Sequence, residues 1–183
     1  AVLEFSGPRG LALAEAAHAH RFCSDNGGAQ VDDAPYRHWR EGRYQSYSIQ
    51  WQTSGWCMDT VEITGPWRQL PQMHARMQAV VRGLCPDAYF GAHWSHIYPE
   101  GACQYMTMRI PPMDEREALR LHRQAWDRLQ RICLELGGSI AHHHGVGSFR
   151  NEWLREELGT GLSMLQTLKD GIDPHNLLNP GKV

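Results

Sequence analysis

Residues 88–110 constrain the fold more than any other stretch. Two runs of strand character, 88–97 and 102–110, are joined by Tyr98-Pro99-Glu100-Gly101, with proline and glycine where a hairpin needs them. Pro111-Pro112 closes the pair. A long helical pattern follows over 114–136, N-capped by Asp114, with Leu121, Ala125, Leu129 and Ile132 on its buried face. A hairpin that runs directly into an amphipathic helix points to an α+β architecture.

The other segments fit that frame. Residues 2–5 read as a short strand, stopped by Gly7-Pro8. A helix follows over 10–24, with Leu11, Ala14, Ala17, His18 and Phe22 along one side, ending at Gly27-Gly28. Residues 29–56 are rich in Trp, Tyr, Arg and Gln and hold a short helix near 36–47. Over 58–64, Met58, Thr60, Glu62 and Thr64 alternate with Asp59, Val61 and Ile63, which predicts a strand. Gly65-Pro66-Trp67 opens a further helix carrying Leu70, Met73, Met77, Val80 and Val81, and the tail adds helices near 151–158 and 162–170. Arg21-Phe22-Cys23 precedes Gly27-Gly28 at the spacing by which Arg131-Ile132-Cys133 precedes Gly137-Gly138. That echo suggests two strand–helix–strand halves sharing one sheet. The expected fold is a ferredoxin-like antiparallel sheet with helices on one face, plus a C-terminal helical tail. Residues 1–140 would form the α+β domain, and 141–183 a histidine-rich loop and the tail.

Composition sets the class. With 42% hydrophobic and 21% charged residues and a formal net charge of −2, the chain reads as a globular domain with no general affinity for nucleic acid. The five cysteines are scattered, with no CxxC pair, so a reducing compartment is expected rather than a disulfide framework.

The densest chemical signal is His142-His143-His144-Gly145-Val146-Gly147. In an extended run, His142 and His144 share one face and His143 points the other way. Such histidines can line an active site, carrying protons or binding anionic oxygens. They can also bind metal, which needs three or four converging ligands. His93 and His96 are the available recruits, but an odd step of three puts them on opposite sides of a regular strand. A polar loop is the third reading. On the second strand of the hairpin, Cys103, Tyr105, Thr107 and Arg109 share a face, and a tyrosine there becomes a useful acid or base only beside cations or histidine. Arg37, His38, Trp39, Arg40, Arg43, Tyr44 and Tyr47 form a third group, suited to a linker packed on another domain or to an arginine clamp on an anion.

Three segments carry a resemblance: SHIYPEGACQY (95–105), GGSIAHHHGVGSFRNEWLREELG (137–159) and LKDGIDPHNLLNPGK (168–182). In order and spacing they resemble the C-terminal half of the alkyldihydroxyacetonephosphate synthase branch of the vanillyl-alcohol oxidase superfamily, whose members are FAD-linked. VLEFSG at the start, Asn26-Gly27-Gly28 and EITGPW (62–67) also fit. The chain has no GDGN segment of the glycolate and D-lactate dehydrogenase branch.

The resemblance implies a substrate-side cap whose FAD is held mainly by an N-terminal FAD-binding domain absent from this chain. It implies Tyr105 as acid/base and His143 as its principal histidine. His142, His144, His96 and Arg109 would line the substrate site, Arg43 would contact a phosphate or carboxylate, and Asn179 and Lys182 would approach the flavin, with no metal ligand. The implied partners are that FAD domain and a small anionic substrate, with a homodimer allowed, in a cytoplasmic or membrane-peripheral setting. Ser48-Ile49-Gln50 stands where the family usually has an acidic residue. The alternatives are an FAD-dependent 2-hydroxy acid dehydrogenase of glycolate or D-lactate type, and a stand-alone metal- or ligand-binding module using the His142–His144 run.

Overall fold

A computed structural model describes residues 2–45 and 54–182. The chain divides into two compact units, Ala1–Tyr47 and Ser48–Val183.

The first unit holds α1 (Arg9–Asp25) and α2 (Ala34–Gly42). Residues 2–5 do not form the expected strand. They meet no partner edge among the described residues, and Val2 and Phe5 instead border a hollow of about 570 Å³ with Ala16, Ala19, Cys23 and Tyr36. The covered side of α1 is accordingly the Ala12, Ala16 and Ala19 stripe. Leu11 and Phe22, expected to be buried, stand 55% and 64% exposed. The short helix expected near 36–47 is α2; Tyr47 and Ser48-Ile49-Gln50 lie outside the described residues.

The second unit is a mixed α+β fold on a three-stranded antiparallel sheet. Its strands are β1 (Cys57–Pro66), β2 (Tyr89–Ile97) and β3 (Gly101–Ile110), in the order β1-β3-β2. Because β3 runs antiparallel to both neighbours, β1 and β2 are parallel to each other and are connected by α3 (Leu70–Leu84). The hairpin and the helix after it stand where the sequence puts them: α4 spans Glu115–Glu135, and Asp114 accepts hydrogen bonds from the amides of Arg116 and Glu117 at its start. α5 (Asn151–Leu158) and α6 (Gly161–Ile172) complete the tail. Among the described residues no helix is long and apolar enough to cross a membrane.

Strand alternation divides the sheet into two faces. Val61, Ile63, Met106, Met108 and Ile110 enter the core, against Met73, Met77 and Val81 of α3 and Leu121, Leu129 and Ile132 of α4. Each such fully buried side chain contributes about 1.5–3 kcal/mol relative to exposure. The opposite face carries Glu62, Cys103 and Tyr105, with His93 directly across from Tyr105 on β2.

The echo between residues 21–28 and 131–138 has a local cause. Gly27 (φ 81°) and Gly137 (φ 72°) both take the left-handed conformation. The amide of Gly28 then donates to Cys23 O at 2.7 Å, and that of Gly138 to Cys133 O at 2.9 Å. This is one glycine-dependent helix ending used twice. The first of the supposed halves contributes no strand to the sheet among the described residues.

Candidate functional site

The site is built on the sheet face that α3 and α4 leave uncovered, and a buried carboxylate organises it. Glu62, on β1 between Val61 and Ile63, has no exposed surface. After α4, the chain pairs once with the outer edge of β1, where Thr64 and Ser139 exchange hydrogen bonds of 2.9 and 3.0 Å. It then crosses the open face. There the backbone amides of His142, His143 and His144 all donate to the Glu62 carboxylate, at 3.0, 2.9 and 3.1 Å. Burial alone would raise the Glu62 pKa, but the three amide hydrogen bonds outweigh it and bring the value down to about 2. His143 Nδ1 also contacts Glu62 Oε1, and His144 Nδ1 lies 4.0 Å from Oε2.

The histidine run is therefore bent around Glu62 rather than extended, and its side chains do not alternate between two faces. The shoulders of the bend are braced from the tail. Glu157 accepts the amide of Ile140 at 3.0 Å. Arg150, only 6% exposed, donates to the carbonyl of Gly145 and lies 5.2 Å from the centre of the Trp126 ring. Burial lowers the pKa of Arg150, while Glu62 and Asp59 act to raise it.

β2 supplies the remaining contacts through a bulge. Ser95 pairs with Cys103 and Ile97 with Ala102, which leaves His96 between them without a partner and at φ 50°. The bulge cancels the odd step from His93. The His96 ring comes to 4.7 Å from that of His142 and 4.6 Å from that of His143, centroid to centroid. His142 Nε2 meets the Tyr98 hydroxyl at 2.8 Å, and the Tyr105 ring meets His144 edge-on at 5.1 Å. A hollow of about 410 Å³ adjoins the cluster, lined by residues that include Thr64, Tyr98, Ala102, Ser139 and His142.

Of the residues singled out in the sequence, Tyr105, His96, His142, His143 and His144 are thus brought together. Arg109 shares their face but stands four residues farther along β3, roughly 13 Å away at strand rise, with its guanidinium 4.8 Å from the centre of the Tyr89 ring. Arg43 belongs to the first unit, where it donates to the Tyr44 hydroxyl at 3.0 Å. Asn179 and Lys182 lie in the exposed tail, joined by a backbone hydrogen bond of 3.3 Å. Glu62, Cys103 and Arg150 complete the site. Glu62 left one trace in the sequence, an acidic residue flanked by core positions on a strand.

An α+β domain that presents a histidine cluster on an open sheet face is a site-bearing module, and comparison with known proteins supplies its family. The C-terminal domain family of FAD linked oxidases matches the chain over residues 1–183, and the chain belongs to it. The chain is 29% identical over 131 residues to the uncharacterized FAD-linked oxidoreductase YgcU of Escherichia coli K12, covering 68% of this chain and 27% of that protein. It is 32% identical over 118 residues to alkyldihydroxyacetonephosphate synthase of Trypanosoma brucei brucei, covering 64% of this chain and 19% of the relative. A solved alkyldihydroxyacetonephosphate synthase structure superposes on 95% of the chain and 29% of its own length, with a TM-score of 0.57 at 21% identity. The chain thus spans under a third of each.

The family implies FAD, and the described residues do not fit its pyrophosphate. No glycine-rich turn leads from a strand into a helix, and Gly145 and Gly147 lie in the loop after α4.

Proposed function

We propose that this chain is the substrate-binding cap of an FAD-dependent enzyme resembling alkyldihydroxyacetonephosphate synthase, with the flavin held by a separate N-terminal domain. The observation that carries this reading is the convergence of Tyr105, His96 and the His142–His144 run on one open sheet face, with the run fixed by Glu62. In this reading Tyr105 exchanges a proton with the substrate through its hydroxyl. His143, oriented by Glu62 at Nδ1, is the second proton-handling group. His142, His144 and His96 hold anionic oxygens of a phosphate- or carboxylate-bearing substrate, with Arg109, farther along the same face, as a further anion contact. Asn179 and Lys182 approach the flavin. The sheet is ferredoxin-like, with the Thr64–Ser139 pairing standing where a fourth strand would lie. The enzyme works in the cytoplasm or at a membrane surface, alone or as a homodimer.

The test uses the full-length protein. Bound FAD should be visible by absorbance, and Tyr105→Phe and His143→Asn should each lower turnover by about 10²–10⁴-fold while FAD stays bound. Exchange of an acyl for an alkyl group without flavin bleaching supports the synthase-like reading. Bleaching by a small 2-hydroxy acid moves the assignment to the dehydrogenase type. A colourless protein, or variants with unchanged turnover, would sink it.

A further inference from the structure

A chain of contacts fixes where the hydrogens of the cluster sit, and it ends on a residue to which the roles above assign nothing. Glu62 accepts three backbone amides and is ionised, so its carboxylate can only accept. His143 Nδ1, in contact with Glu62 Oε1, therefore carries a hydrogen and donates it. His142 Nδ1 lies 3.1 Å from that same nitrogen. Two N–H groups would repel at that distance, so in the neutral ring His142 Nδ1 is the bare acceptor and Nε2 holds the hydrogen. His142 Nε2 stands 2.8 Å from the Tyr98 hydroxyl. The phenol oxygen accepts there, and its own O–H is left to point away from His142. We infer that Tyr98 is a further substrate-binding residue, whose hydroxyl donates a hydrogen bond to an anionic oxygen of the substrate at the mouth of the hollow beside the cluster. This rests on the cap reading given above and extends it: neutral His142 has both ring nitrogens engaged, so its hold on the substrate passes through Tyr98.

Three features of the surroundings support this. First, Tyr98 and His142 border the hollow together, beside Ser139. The Ser139 hydroxyl is spent within the chain, donating to the carbonyl of Ala141 at 3.0 Å, whereas the Tyr98 hydrogen is not. Second, the root of Tyr98 is fixed before any ligand arrives. Its amide donates to the carbonyl of Gly101 at 2.8 Å, and its own carbonyl accepts the indole N–H of Trp67 at 2.9 Å. A donor already held in place costs little ordering on binding. Third, the hydroxyl is polarised for the task. An oxygen that accepts a hydrogen bond from an imidazole becomes a stronger donor through its own hydrogen. The ring is 45% exposed, which puts its polar tip at the rim, where a ligand can reach it. Glu100 also lines the hollow, but it is exposed in the turn, where water screens its charge.

The experiment uses the full-length protein carrying isotope-labelled histidine. At about pH 8, where imidazoles are neutral, nitrogen–proton correlation spectra should show His143 protonated on Nδ1 and His142 on Nε2. Calorimetric titration with inorganic phosphate and, separately, with D-lactate should show at least one of the two binding. Phosphate binding assigns the oxygen to a phosphate, and lactate binding to a carboxylate. Tyr98→Phe should weaken that binding by about tenfold or more, and Tyr36→Phe, which removes a hydroxyl from the first unit, should leave it unchanged. Equal affinity in Tyr98→Phe and the wild type, no binding of either anion, or His142 protonated on Nδ1 would overturn the assignment. If circular dichroism shows that Tyr98→Phe does not fold, the wild-type spectra decide: a His142 Nε2 signal that shifts on adding the anion supports the role, and any other result overturns it. These readouts involve neither flavin nor turnover. A colourless protein would fail the flavin reading and leave Tyr98 in place, whereas an active FAD enzyme whose Tyr98→Phe variant binds like the wild type would do the reverse.

Discussion

Glu62 and His143 meet twice: Oε1 accepts the backbone amide of His143 at 2.9 Å and also faces its ring Nδ1. One carboxylate thereby sets both the path of the loop and the orientation of its central imidazole. Glu62→Gln keeps the size but puts an NH₂ group among converging donors. It should cost about 1–3 kcal/mol of stability in urea unfolding. Amide exchange should speed up at residues 142–144 ahead of the sheet core.

The same carboxylate gives the fold a pH signature. Burial raises the Glu62 pKa, the three amide bonds lower it more, and it falls from an ordinary 4.5 to about 2. Asp173 is likewise held at about 2, by Lys169 first and then by the amides of Leu177 and Leu178. A carboxylate depressed on folding stabilises fully above its unfolded value, and that contribution is lost as pH falls through the folded one. Urea midpoints should therefore level off above about pH 4.5 and decline toward pH 2, and Glu62→Gln should flatten the decline.

Gly138 is required by space. A β-carbon there would stand 2.5 Å from Thr64 O and 2.6 Å from Cys133 Sγ. Gly138→Ala should therefore be destabilising by about 1–3 kcal/mol, measured as a lower thermal midpoint. It should also loosen the Thr64–Ser139 pairing that admits the histidine run.

The cysteines should separate by reactivity. Burial, with Glu157 adding to it, pushes Cys133 up to about 12. Cys23 is exposed. Iodoacetamide at mild alkaline pH should label Cys23 in the native protein and reach Cys133 only after unfolding, as read by peptide mass spectrometry.

Much of the frame was legible because local rules govern it. The hairpin follows from Tyr98-Pro99-Glu100-Gly101, α4 from Asp114 and its apolar spacing, and the β1 faces from strict alternation. What escaped depends on contacts distant in sequence. No residue near His142 reveals that Glu62, eighty positions earlier, collects its amide. No residue type announces the bulge that redirects His96. The strand expected over 2–5 failed because a short extended apolar segment carries no record of whether a partner edge exists. Leu11 and Phe22 mark an apolar side of α1 that this chain leaves open.

The bulge in β2 has a consequence for self-association. β2 lies at one end of the described sheet, and an outer strand with regular pleating is a template for another molecule's backbone. At His96 the regular repeat is broken near the strand's end. An incoming strand that paired along Tyr89–Ser95 would lose register there and could not zip to the turn. The kink that delivers an imidazole to the cluster thus also limits any added strand to Tyr89–Ser95.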